Sequence, residues 1–306
     1  MRKPEKLNAL FIPCYVDGLP MHSGSVNWRC RWPAKYWSGL PAGGTWRPGN
    51  GDVYDGSQRP GDYQVVVFQK VYRSERARGW VLDLAKRRAR IRDRTTVLVL
   101  DMCDPDWLDV GHRERLLPVL PLFDVATGST MPLVNWLGQY LPAYEVADGI
   151  DLDELHFKHE QRTGSRPRIC WIGYAGNIAL ETLAPDIQKL GVDVDVVEID
   201  RPVPFTVFLK TLSRYDILLN PQPDRPPFNY KSSNKSDAAW MTGVAVAEKP
   251  GDLLFLVDPE VRLREIDRKQ TEILSERTAR RSAERLFEVV TGELNQRAVM
   301  TATRGG

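Results

Sequence analysis

Cysteine is scarce in this chain of 306 residues, and its four cysteines, Cys14, Cys30, Cys103 and Cys170, form no CxxC pair. Cys14, Cys103 and Cys170 lie in or beside apolar runs. That fits buried free thiols in a reducing compartment better than a disulfide framework or a zinc site. Histidine is equally sparse. His156 and His159 are spaced to share a helix face, but no third ligand candidate stands near them, so a solvated linker outweighs zinc. No apolar stretch approaches the ~20 residues of a membrane helix. The polar residues 1–6 pass into a run too short for the core of a signal peptide. A cytoplasmic protein without a transmembrane segment is expected, with peripheral membrane contact left open. No G-x-G-x-x-G follows the first strand of either half, which argues against a Rossmann dehydrogenase. Nor does one sign of charge dominate. The formal net charge is +2, which neither demands nor excludes nucleic acid.

What is present is an ordinary globular composition, 42% hydrophobic and 27% charged. At roughly 150 residues per domain the length suggests two domains. Short apolar runs at 7–15, 64–71, 96–101, 123–126 and 143–146 form one series of predicted strands. A second series lies at 168–173, 193–199, 216–220, 244–247 and 253–257. Continuous apolar runs of this length suit strands buried on both faces of a parallel sheet. Helix-period segments separate them. Ala77, Trp80, Val81, Leu84 and Ile91 make one stripe, with Arg and Lys on the other face. Further helices are predicted at 178–190, divided or kinked near Pro185, at 205–212 and at 271–294. This alternation predicts an α/β fold of two Rossmann-like domains facing a cleft, with a C-terminal helix. The polar stretch 156–168 reads as the linker, giving domains 1–160 and 161–306. The segment 28–61, rich in Trp, Gly and Pro, breaks the pattern and reads as a long functional loop with a short helix near 33–37.

Chemistry concentrates in 216–247 (DILLNPQPDRPPFNYKSSNKSDAAWMTGVAVA). A buried strand and a Pro-rich loop lead into a helix that begins near Ser233 or Asn234. Asn234 as N-cap, with Asp237 three residues on, makes a capping box. The free N–H groups and positive dipole end of such a helix suit a phosphate. Lys231 and Lys235 flank it, and Arg225 is within reach. The plainer alternative is two solvated lysines and a simple cap.

The run 230–247 resembles the donor-binding segment of GT-B glycosyltransferases of the group 1, family 4-like type, loosely K-x-x-N-K-x-x-E-A-x-x-x-G-x-P-V. Lys231, Asn234, Lys235, Ala239 and Gly243 match its character, and 216–221 (DILLNP) resembles the strand before it. Two positions depart: Ala238 stands where the family has its acid, and Ala245 where it has proline. The resemblance implies that this segment, Ser233 and Asp237 included, holds the diphosphate and ribose of a nucleotide-sugar, the expected donor being a UDP- or GDP-sugar. The stretch 168–177 (RICWIGYAGN) resembles the first strand and glycine turn of the donor domain, with Gly173 for close backbone approach and Asn177 to cap the next helix. An ordinary strand-to-helix turn is the alternative for Gly173. Residues 63–70 resemble a strand frequent in the family. Thr127, Ser129 and 148–151 (DGID) resemble the elements that end its acceptor domain.

On the acceptor side, 17–25 resembles the glycine-bearing loop that faces the donor, with Gly24 and Ser25 on the donor. Arg29 sits where related enzymes often carry an arginine, and with Trp28 it is assigned to the acceptor. His22 is a candidate base or hydroxyl-positioning group, or a plain loop histidine. The run 101–107 (DMCDPDW) resembles the D-x-D-D-x-x-W element of some surface-polysaccharide glycosyltransferases. Asp101 or Asp104 would bind acceptor hydroxyls or act as base; simple turn chemistry is the alternative. The expected activity is therefore transfer of a hexosyl or pentosyl group from a nucleotide-sugar to an acceptor hydroxyl, with no further cofactor and no metal. Lysines would stabilise the leaving nucleotide. The basic stretch 73–94, beside Trp28, Trp32, Trp37 and Trp46, keeps DNA open as an acceptor alongside glycan and protein. A solvated amphipathic helix explains it more simply. A sugar-nucleotide epimerase and a non-catalytic nucleotide-sugar-binding scaffold are the rival readings.

Overall fold

The computed structural model describes residues 5–14, 24–91, 95–161, 166–174, 185, 187, 189–199, 203–222 and 226–304. The first sheet holds β1 (Glu5–Ile12), β2 (Trp46–Val53), β3 (Val65–Gln69), β4 (Val97–Met102), β5 (Val125–Gly128) and β6 (Ala143–Glu145), in the order β2-β1-β3-β4-β5-β6. The second holds β7 (Ile169–Tyr174), β8 (Val194–Ile199), β9 (Ile217–Leu219) and β10 (Ala245–Ala247), in the order β10-β9-β7-β8. Every strand pair is parallel. All residues of β3 and β4 are buried, which is what runs such as VVVFQ and VLVLDM dictate when helices cover both faces. In each sheet the first strand lies inside: β1 between β2 and β3, β7 between β8 and β9. The chain thus reverses direction beside that strand, and a crevice opens at the strand C-terminal ends.

Helix α1 runs through Gly24–Val26, a π-helical turn Asn27–Arg31, and Trp32–Trp37. It is followed by α2 (Glu75–Ile91), α3 (Val110–Leu116), α4 (Met131–Leu137), α5 (Phe205–Leu212), α6 (Asn234–Met241), α7 (Leu253–Leu256), α8 (Pro259–Glu276) and α9 (Ala279–Arg304). The expected long loop at 28–61 is therefore mostly ordered structure, α1 and the edge strand β2. Trp28, Cys30, Trp32 and Trp37 are buried on α1, and the indole N–H of Trp37 donates to Leu7 O at 2.9 Å. Pro33 follows the wide π turn, where the helix absorbs a residue with no N–H to give. β2 tolerates proline and glycine because it is an edge. Gly51 is moreover required there: a Cβ would lie 2.4 Å from Ala34 O.

Two other expectations are corrected. Residues 253–257 form the short helix α7 instead of a strand. Leu254 and Phe255 are exposed, and a short apolar run does not by its period distinguish strand from helix. The helix predicted at 271–294 is two helices, α8 and α9. The predicted stripe lies mainly on α9, where Ala283, Leu286, Phe287, Val290 and Leu294 pack against Leu7, Phe11, Val97 and Val125 of the first sheet. Each such large apolar side chain contributes about 1.5–3 kcal/mol. Most of the helix expected at 178–190 lies outside the described residues. The segment expected as a solvated linker is docked where it is described. His159 Nε2 lies 2.9 Å from Asp216 Oδ1, and Gln161 donates to Asp216 O and Gly243 O. All four cysteines are buried and unpaired, and no described helix is long and apolar enough to cross a membrane.

The return of the chain to the first sheet is stitched at one crossing. Ile150 N donates to Arg277 O at 3.0 Å, Ala279 N donates to Ile150 O at 2.8 Å, and Ser282 Oγ donates to Ala147 O at 2.7 Å. Gly149 makes the approach possible, since a Cβ there would stand 2.2 Å from Thr278 O and 2.3 Å from Ser282 Oγ. Gly149→Ala is expected to lose about 1–3 kcal/mol of stability in urea unfolding. Wild-type stability in that variant would mean that the crossing is not close-packed.

Candidate active site

The C-terminal ends of both sheets border one cavity of about 390 Å³, a size typical of small-molecule sites. The first half contributes Gly24, Ser25 and Trp28 from the start of α1, Lys70 and Arg73 after β3, and Cys103 and Asp104 after β4. The second contributes Trp171 and Gly173 of β7, Ile199 of β8, Phe205 and Phe208 of α5, and Asn220 after β9. Lys231, Ser232, Asn234 and Lys235 complete the wall at the head of α6.

That head differs from the expected capping box. Ser233, not Asn234, is the N-cap, and its side chain caps no backbone N–H. Ser233 Oγ instead donates to Asp237 Oδ2 at 3.0 Å. Asp237 is buried and lies 3.4 Å from Arg277 Nη2, so its carboxylate faces away from the cavity wall. Burial, opposed by Arg277, pushes its pKa up to about 6. Ala238, at the family's acidic position, is fully buried. Lys235 donates from Nζ to Ile172 O at 3.1 Å. Burial, then the nearby charge of Lys231, pushes its pKa down to about 8. Lys231 lies over the Phe228 ring, 5.4 Å from its centroid. No ion pair joins either lysine to a carboxylate among the described residues.

The opposite wall is electrically matched. Lys70, in the left-handed region with φ 47°, pairs with Asp104 and lies 3.5 Å from Asp106. Arg73 lies 3.0 Å from Asp106, which also accepts from Tyr72 OH at 2.6 Å. Asp104 is the acidic side chain on the cavity wall among the described residues. Asp101 and Arg29, expected in the cleft, instead lie beneath it. Both are buried, and Asp101 accepts from two guanidinium nitrogens of Arg29 and from Thr127 Oγ1 at 2.6 Å. Arg29 also donates to Val146 O and, at 3.1 Å, to Asp148. With their hydrogen-bonding groups so engaged, neither is placed to meet an acceptor. Trp28 reaches the cavity but is buried, edge-on to Trp32 at 4.7 Å and to Phe205 at 5.8 Å. It is no free stacking platform. Gly173 leaves room for the Trp171 ring, which a Cβ would meet at 2.5 Å. His22, Asn177 and Arg225 lie outside the described residues.

Sequence reasoning missed Lys70, Arg73, Trp171, Phe205 and Phe208. The available signal was positional: Lys70 and Asn220 are polar residues at the carboxyl ends of buried strands. The basic stretch divides. Arg78 pairs with Glu75 and Arg88 pairs with Asp124. Arg76, which packs over the Trp80 ring at 5.0 Å, stays exposed, as do Lys86, Arg87 and Arg90. Trp28, Trp32 and Trp37 are buried, so they form no open stacking face beside it. Among the described residues no His, Cys, Asp and Glu cluster suits a metal ion.

No protein-family model matches the sequence, and no curated protein matches it either. Solved structures do match. An α-glucosyltransferase, solved with UDP-glucose and DNA containing an abasic site, aligns with a TM-score of 0.62 at 8% identity, over 94% of this chain and 100% of that one. The fold is GT-B. Two weaker likenesses are Anabaena HepE with UDP-glucose (TM-score 0.37, 11% identity, 97% of this chain and 100% of that one) and trehalose 6-phosphate synthase of Burkholderia multivorans (0.40, 9%, 100% and 99%). At 8% identity the likeness to the α-glucosyltransferase is one of fold: two Rossmann-like halves facing a cleft.

The raised pKa of Asp237 has a defined consequence. The folded chain holds this proton more tightly than the unfolded chain. Its contribution is therefore present below the ordinary carboxylate range and is lost as pH rises through about 6, by about 3 kcal/mol at neutrality. Urea titrations at several pH values should show Asp237→Asn gaining on wild type between about pH 4 and about pH 7. Parallel stability curves for the two proteins would contradict the assignment.

Proposed function

We propose that this chain is a glycosyltransferase that passes a hexosyl or pentosyl group from a nucleotide-sugar, UDP- or GDP-linked, to an acceptor hydroxyl. The observation that carries the reading is the head of α6. Two lysines there border the cavity without a carboxylate partner among the described residues, and one of them, Lys235, is half-buried. An ammonium partly withdrawn from water without a counter-ion is costly, and a diphosphate supplies the missing charge. The N–H groups at the start of α6, uncapped by Ser233, add to the attraction. The α-glucosyltransferase with the same fold was solved with UDP-glucose, which supports UDP as the first nucleotide to test.

In the proposed reaction the acceptor oxygen attacks the anomeric carbon and the bond from that carbon to the β-phosphate oxygen breaks. Lys231 and Lys235 stabilise the negative charge that develops on the leaving nucleotide, which is the larger electrostatic contribution. Two ammonium groups can do this without a metal, so the transfer is proposed to be metal-independent. On the facing wall Asp104, held by Lys70, accepts or orients the acceptor proton. Gly24 and Ser25 border the donor from that side. His22 as a second candidate base, and Asn177 and Arg225 as donor contacts, stand on sequence alone. The working division is an acceptor domain 1–160 and a donor domain 161–306, in the cytoplasm. The acceptor is a glycan, a protein side chain or a hydroxylated base in DNA. DNA gains support from the complex of the α-glucosyltransferase and from the exposed Arg76, Lys86, Arg87 and Arg90 of α2, whereas the burial of Trp28, Trp32 and Trp37 counts against a base-stacking face. The competing reading is a nucleotide-sugar-binding scaffold without turnover. It draws on Ala238 and the inward-facing Asp237, which leave no acid in the family's ribose position.

A thermal-shift and calorimetric screen against UDP, GDP and their sugars decides between these readings. One nucleotide series should stabilise the protein, and Lys235→Ala should weaken its binding by about 10–100-fold. Affinity should be flat below about pH 8 and fall above it as Lys235 loses its proton, whereas Lys235→Arg should abolish that fall. Donor turnover lost in Lys235→Ala supports the enzyme. Binding with no turnover under any acceptor supports the scaffold. No binding of either series would overturn both.

A further inference from the structure

The segment that carries the two donor-side lysines does not stand by itself. It is held from across the cleft, by residues of the first half. On one side of Lys231, Thr130 Oγ1 donates to Tyr230 O at 3.0 Å, and the Tyr230 ring meets Trp107 edge-on at 5.3 Å. On the other side, Asp148 Oδ2 accepts from Ser232 Oγ at 2.5 Å and from Asn234 Nδ2 at 3.4 Å. Asp148 itself is buried, and its other oxygen accepts from Arg29 Nη1 at 3.1 Å. Arg29 is fixed in turn by Asp101 near the end of β4, which also accepts from Thr127 of β5. A continuous series of hydrogen bonds thus runs from the first sheet, through the π turn of α1, to the head of α6.

Resting on the glycosyl-transfer reading above, we propose that Asp148 is a positioning residue that sets the head of α6, through Ser232 and Asn234, so that Lys231 and Lys235 face the donor diphosphate. Asp148 does not border the cavity, while Ser232, Asn234 and both lysines do. It therefore acts through the groups it holds. Its carboxylate suits the task because one oxygen takes the fixed guanidinium while the other remains free to accept two donors from the facing half. A neutral side chain lacks the charge that holds both at once. The reach of the lysines is consequently set in part by residues of the first half of the chain, and donor affinity depends on contacts made across the cleft.

The test uses whichever of UDP or GDP the wild-type protein binds, measured by calorimetry, beside the melting temperature of each variant. Asp148→Asn and Ser232→Ala should each weaken nucleotide binding by about tenfold, the loss typical when a side chain supporting a site is removed. The double variant should lose little more than the larger single loss, because both changes break one contact. Ser232→Ala keeps the test open should Asp148→Asn fail to fold. Nucleotide affinity unchanged in folded variants, with only the melting temperature lowered, would reduce Asp148 to a structural role and overturn the proposal. Losses that simply add would overturn the shared contact. Wild-type protein that binds neither nucleotide would remove the donor site itself, and this proposal with it, a result distinct from intact binding that ignores Asp148.

Discussion

The site is organised around one buried guanidinium. Arg29 is engaged by Asp101, Asp148 and the carbonyl of Val146, and those carboxylates raise its already high pKa against the desolvation that opposes it. Removing three charges from water is expensive, and such a cluster adds little or nothing to stability compared with well-packed apolar residues. What it adds is direction. Guanidinium geometry is planar and forked, so it fixes two carboxylates at set angles. Asp101 lies beneath the cavity at the end of β4, and Asp148 holds the head of α6. The π turn at Asn27–Arg31 belongs to the same constraint, because it aims Arg29 inward while Trp28, one residue earlier, reaches the cavity edge. Single-turn widenings of this kind recur at functional sites.

Around that fixed point the two walls differ in charge balance. Lys70 and Arg73 stand against Asp104 and Asp106, and the local sum is zero. Lys231 and Lys235 have no such partners among the described residues. The charge of the cavity wall is therefore uneven, positive on one side and balanced on the other. On the proposed reading the positive side takes the diphosphate and the balanced side the acceptor hydroxyl.

Much of this was legible from the sequence, for reasons that can be separated. The buried strands were legible because runs such as VVVFQ and VLVLDM, too short to cross a membrane as helices, suit strands covered on both faces. The head of α6 was legible because lysines, small polar residues and a terminating glycine coincide there. Gly243, with φ 85° and a neighbouring carbonyl 2.6 Å from its missing Cβ, accepts no other residue. The region 28–61 was misread because tryptophan, glycine and proline also mark loops. The buried face of α1 emerges only once Leu7, Gly51 and Phe287 are known to lie against it. Asp101 and Arg29 were found but misplaced. A carboxylate at the end of a strand points toward a cleft, and nothing local indicates that an arginine distant in sequence has already filled the space before it. Pairing is a tertiary fact, and spacing along the chain does not encode it.

The cavity wall is also mixed in polarity. Besides the lysines it carries Trp171, Ile199, Phe205 and Phe208, with the edge of Trp28, and the carbonyl of Ile172, next to Trp171, accepts from Lys235. Gly173 keeps the Trp171 ring in place by having no side chain of its own. Cations and aromatic rings thus share one cavity of about 390 Å³. A ligand that carries both an anionic group and a flat, partly apolar ring would leave neither a charge nor an apolar surface unmatched there, and that is the physical basis of the nucleotide-sugar proposal.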